Sequence, residues 1–119
     1  MNFTLEERTA CLLVLMALAD CDGRRNNDEI DVLLRCNKVL GITHEDMLAG
    51  IINKAHLMPI TKVESIIKPM DATKKYILEQ CMVKIMEADG PANEKELSTW
   101  WGIQMQLNLP RWQSVKNNN

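Results

Sequence analysis

Residues 20–29 read Asp-Cys-Asp-Gly-Arg-Arg-Asn-Asn-Asp-Glu, and residues 87–96 read Glu-Ala-Asp-Gly-Pro-Ala-Asn-Glu-Lys-Glu. The second stretch follows the first by 67 residues, and at that offset Asp22, Gly23, Asn26 and Glu29 fall on Asp89, Gly90, Asn93 and Glu96. Asp20 falls on Glu87, which keeps the charge. The correspondence runs on to Leu40-Gly41-Ile42 and Leu107-Asn108-Leu109. Each acidic stretch follows an apolar helical run and precedes an amphipathic one, so the identities sit at helix ends, where residue type is physically constrained. The reading is an internal duplication of a helix–turn–helix with the acidic turn as its signature.

Working outward, the helix before the first turn opens at the capping box Thr4-x-x-Glu7. Every residue from 11 to 19 is apolar, which marks a helix buried on all sides. Gly23 supplies the left-handed position that stops it. Asn26 caps the next helix with Glu29 reaching back, and its inner face carries Ile30, Leu33, Leu34 and Asn37. Gly41 ends that helix in a hydrophobic clasp. A third helix is expected from Thr43 to Pro59, with Met47, Leu48, Ile51, Ile52 and Ala55 as its stripe, and a short fourth from the capping box Thr61-x-x-Glu64 to Pro69. Asp71 begins the fifth, with Leu78, Cys81, Met82 and Ile85 on one face and Glu79 and Lys84 off it. Asn93 and Glu96 cap the sixth, which carries Leu97, Trp100, Trp101 and Met105, and the tail adds one turn around Trp112. Nothing alternates as a strand would. The fold class is therefore all-α, about seven helices in two repeats related by a pseudo-twofold, around a central pair at 5–21 and 71–88. Leu15, Leu18, Met82 and Ile85 should be buried where that pair meets.

A chain of 119 residues suits one domain, 1–119, with a single core. Its 46% apolar and 25% charged residues are ordinary for a soluble protein, and a net charge of -2 excludes nucleic acid as the main partner. The start of the chain has no basic segment before the apolar run, and residues 10–19 are too few to cross a bilayer, so no membrane insertion and a cytoplasmic location are expected. Cys11, Cys21, Cys36 and Cys81 lack metal-ligand spacing and read as small buried thiols. His44 and His56 read as surface residues, and most of the eight methionines as core. No nucleotide loop, nucleophile elbow or catalytic triad is present, so no enzyme and no catalytic residue is expected.

Glycine, asparagine and glutamate at these spacings serve the backbone of a tight turn. The acids before them are harder to explain. Asp20, Asp22, Glu87 and Asp89 lie at helix C-termini, where the macrodipole disfavours negative charge by roughly 0.3–1 kcal/mol each. With Glu29 and Glu96 they form the candidate metal set, Asp20, Asp22, Glu29, Glu87, Asp89 and Glu96, and a divalent cation is the one cofactor such a set would hold. Arg24 and Arg25 could replace it in the first turn; the second, with neutral Gly90-Pro91-Ala92, is the better candidate. The spacing is not that of an EF-hand, whose ligands alternate ahead of the glycine.

The pattern Ala19-Asp20-Cys21-Asp22-Gly23 or Glu87-Ala88-Asp89-Gly90, a glutamate seven after each aspartate, and a helix ending in Leu40-Gly41-Ile42 resembles the TerB-like domain of the tellurite-resistance family. The resemblance spans about residues 5–110. It implies an all-helical fold of two similar repeats, about 5–58 and 71–116, a link to tellurite and stress resistance, and metal binding at the six acids. Arg24-Arg25 departs from the pattern. Two functions follow: a non-enzymatic, cytoplasmic cation-binding domain of stress resistance, or a helical protein–protein interaction module, binding a protein partner or its own copy, in which the acidic turns are only caps.

Overall fold

The Glu7 N–H donates to Thr4 Oγ1 at 3.1 Å, the Thr4 N–H donates to Glu7 Oε1 at 2.8 Å, and this box opens α1 (Leu5–Ala19). A computed structural model describes residues 2–21, 27–88 and 92–109, with backbone alone for 27–30. Six further helices follow: α2 (Asn27–Leu40), α3 (His44–Leu48), α4 (Ile51–Leu57), α5 (Ile60–Ile67), α6 (Ala72–Met86) and α7 (Glu94–Leu107). No strand occurs among the described residues, and no helix there is long and apolar enough to cross a membrane. The fold is all-α.

The 67-residue offset reappears in the helix boundaries. α6 begins and ends 67 residues after α1, and α7 begins and ends 67 after α2. Cap geometry repeats with it: the left-handed Gly41 (φ 81) corresponds to Asn108 (φ 56), a residue type that tolerates this conformation. The amide of Ile42 closes on Asn37 O and that of Leu109 on Gln104 O, each at 2.9 Å, and both Ile42 and Leu109 are buried as the hydrophobic clasp.

α1 and α6 pack together at the centre, and Leu15, Leu18, Met82 and Ile85 are fully buried there, as the apolar runs predict. α2 lies across both central helices, and α7 likewise touches both. Arg8 ties α1 to the start of α3 through two bonds to Asp46, Nε–Oδ2 at 3.0 Å and NH2–Oδ1 at 3.2 Å, the planar fork that suits a carboxylate.

Four expectations are corrected. The single helix from Thr43 to Pro59 is two: Gly50 is left-handed (φ 84) and starts α4 afresh, so the apolar stripe is rotated at the break and Leu48 and Ile52 are exposed. Thr61 caps nothing, since α5 already begins at Ile60 with Pro59, in extended backbone, in the capping position. Leu34 is exposed while Leu33 and Asn37 face inward. Glu79, placed off the apolar face of the fifth helix, is fully buried. At the offset it corresponds to Leu12, itself buried, so its position is a core position that happens to carry an acid. The turn around Trp112 lies outside the described residues.

Candidate functional site

Asp20 and Glu87 end α1 and α6 in nearly the same backbone geometry, φ/ψ of -98/0 and -97/7. Their amides close the last turns on Met16 O and Val83 O, each at 3.0 Å. Both side chains are exposed. Glu96 is different. It is only 4% exposed, and its Oε1 accepts from the Asn93 N–H at 3.0 Å while Asn93 Oδ1 accepts from the Glu96 N–H at 2.8 Å. This is the capping box expected from the sequence, and it commits one carboxylate oxygen to the chain's own backbone. Of the remaining candidates, Asp22 and Asp89 lie outside the described residues, and Glu29 is on α2 with its side chain outside them. Among the described residues no three acidic, cysteine or histidine side chains are grouped as a metal would need.

Glu87 has other company. It lines a cleft of about 360 Å³ between α2 and the end of α6, with Arg35, Cys36, Cys81 and Lys84 among its walls. Two cations of the chain's own thus share the cleft with this carboxylate. Cys36 and Cys81, 45 residues apart in sequence, meet there: Cys36 Sγ is 3.8 Å from Cys81 O. The influence of each thiol on the other lowers the pKa of Cys36, against its burial and with help from Lys84, and together with burial raises that of Cys81. Sequence inspection missed this pair because no short motif links residues on separate helices.

Beneath α7 lies a second unforeseen feature. Trp100 Nε1 donates to Glu79 Oε1 at 2.7 Å, and Gln104 Nε2 donates to the same oxygen. Glu79 Oε2 is buried with no hydrogen-bond partner. Burial raises the carboxyl pKa to about 7, and the two donors only partly offset it. One carbonyl-like oxygen taking both donors, with its twin left bare, is the arrangement of a carboxyl that is readily protonated. Trp101, next in sequence, points the other way and is 60% exposed, as the roughly 100° between successive helical residues requires.

No protein-family model matches the chain, and no curated protein matches it. Among solved structures, the crystal structure of a protein of unknown function from Porphyromonas gingivalis is similar, with a TM-score of 0.81 at 24% identity, over 99% of this chain and 96% of that one. That likeness concerns the fold.

Proposed function

We propose that this chain is a non-enzymatic, TerB-like helical interaction module, that it pairs with a second copy of itself through the outer face of α7, and that its acidic turns serve its own backbone. One observation carries the reading. Leu97, Trp101 and Met105 recur every fourth residue, so they form one stripe along α7, and they are 44%, 60% and 72% exposed. No charged residue occurs from 97 to 109. An uncharged apolar face meets its own copy about a twofold axis without like-charge repulsion, and a large aromatic with a flexible methionine is suited to anchoring such a contact. The capping role of Glu96 supports the second half of the reading. A cytoplasmic, tellurite- or stress-related setting belongs to the same proposal and rests on the residue pattern of the two turns.

Sedimentation velocity over a range of concentrations tests it. The wild-type chain is expected to dimerise, and Trp101→Glu with Met105→Glu to sediment as a monomer with an unchanged circular-dichroism melt. A wild-type monomer at every concentration overturns self-pairing.

A second reading is favoured by Asp20 and Glu87, exposed carboxylates at the negative ends of α1 and α6. If these turns hold a divalent cation, calcium, magnesium, manganese or zinc should raise the melting temperature relative to chelator. The gain is RT ln(1 + [L]/Kd), about 2.7 kcal/mol at 100 times Kd. Asp20→Asn and Glu87→Gln should abolish it. A wild-type midpoint that no ion moves removes this reading.

A further inference from the structure

We propose that Cys36 and Cys81 form a hydroperoxide-reactive thiol pair that closes to a disulfide across the seam between α2 and α6. Three observations converge on it. The two cysteines come from different helices yet meet, with the Cys36 thiol donating to Cys81 O at 3.8 Å. Both line a cleft of about 360 Å³, room for a small oxidant beside buried sulfur. Lys84 and Arg35 line the same cleft beside the single charge of Glu87, and this excess of positive charge favours the thiolate, which is the nucleophilic form.

The asymmetry within the pair assigns the roles. Their coupling lowers the pKa of Cys36 and raises that of Cys81, and Lys84 favours the thiolate on both. Cys36 is therefore the attacking sulfur. Its thiolate displaces on the terminal oxygen of a hydroperoxide: the S–O bond forms, the O–O bond breaks, and the alkoxide leaves, taking a proton as the alcohol (water, for hydrogen peroxide). The product is a sulfenic acid on Cys36. Cys81 sulfur then attacks the Cys36 sulfur: the S–S bond forms, the S–O bond breaks, and the departing hydroxide takes the Cys81 proton as water. Two thiols lose two electrons and the hydroperoxide gains them.

Cys11 and Cys21 are the internal controls. Cys11 is fully buried, and burial pushes its thiol up to about 12, which keeps it protonated and inert. Cys21 lies on the other central helix boundary and is partly exposed, so indiscriminate oxidation would strike it.

The test treats the full chain with a small excess of hydrogen peroxide, blocks remaining thiols with an alkylating agent under denaturing conditions, and reads intact mass and tryptic peptides. The expected result is a loss of two hydrogens, two blocked thiols rather than four, and residues 36–38 joined to residues 76–84. In Cys81→Ser, Cys36 should accumulate as a sulfenic acid trapped by dimedone; in Cys36→Ser, Cys81 should stay unmodified. A bridge to Cys11 or Cys21, over-oxidation without a bridge in the wild type, or equal labelling of Cys81 in Cys36→Ser overturns the proposal. The wild-type measurement stands even where a variant fails to fold.

Discussion

Lys74 Nζ lies 2.8 Å from Glu7 Oε1, and the two residues stand at the same place in their repeats, 67 positions apart. Each is the third residue of its helix. The pair crosses the contact between α1 and α6, is largely shielded from water, and has the Phe3 ring 5.7 Å from the ammonium. Burial would raise the Glu7 pKa, but the Lys74 hydrogen bond and the Thr4 cap together lower it. Lys74→Met should cost about 1–3 kcal/mol, because it leaves a partly buried carboxylate with fewer donors. Chemical denaturation measures it, and Glu7→Gln in the Lys74→Met background should recover part of the loss.

Glu79 gives the pH dependence its main feature. Its folded pKa is raised from 4.5 to about 7, so between those values the folded state binds a proton that the unfolded state has released. Stability from this group is therefore full below about 4.5 and lost as pH rises through about 7, a difference of roughly 3 kcal/mol. Glu7 acts oppositely: its lowered pKa means its contribution is lost as pH falls through the acid range. Thermal melts across this range should show the wild type weakening from weakly acid to neutral pH, and Glu79→Gln should flatten that slope. An unchanged slope in the variant would place the titration elsewhere.

The central seam supplies a packing prediction. Leu18 is fully buried between helices, so Leu18→Ala should cost about 2–5 kcal/mol, the range for buried leucines whose surroundings relax only in part. A loss under the lower bound would mean that this face collapses onto the missing atoms.

Asn108 ends α7 with φ 56 where its counterpart in the first repeat is Gly41. Its carbonyl accepts from Lys75 Nζ at 3.2 Å, a contact that any residue there retains. Asn108→Ala should therefore cost about 1 kcal/mol through the left-handed backbone alone, whereas Asn108→Gly should be close to neutral. Equal losses in both would point to the asparagine side chain instead.

The fold was largely legible because its punctuation is local. Thr4 with Glu7, Asn93 with Glu96, and Gly41 each state a helix end within four residues, and the 67-residue repeat carries one half's reading to the other. What escaped depends on partners remote in sequence. Glu79 looked like an outward acid because periodicity cannot show that Trp100 and Gln104 arrive above it from α7. Gly50 within a helical pattern does not announce whether it is tolerated or breaks the helix, and here it breaks it. The acidic turns are half answered: Glu96 is a cap, Asp20 and Glu87 are exposed, and Asp22 and Asp89 lie outside the described residues. The thiol pair was invisible for the same reason as Glu79, since Cys36 and Cys81 meet only when α2 is laid on α6.

That laying of α2 across both central helices, with α7 also touching both, makes the two repeats unlike two beads on a string. The central seam is shared: Leu15 and Leu18 belong to one half, Met82 and Ile85 to the other, and all four are fully buried. A nick in the connector between α5 and α6 would thus divide one seam between two fragments, which should reassociate as complements. The two matching halves should then melt as a single cooperative unit.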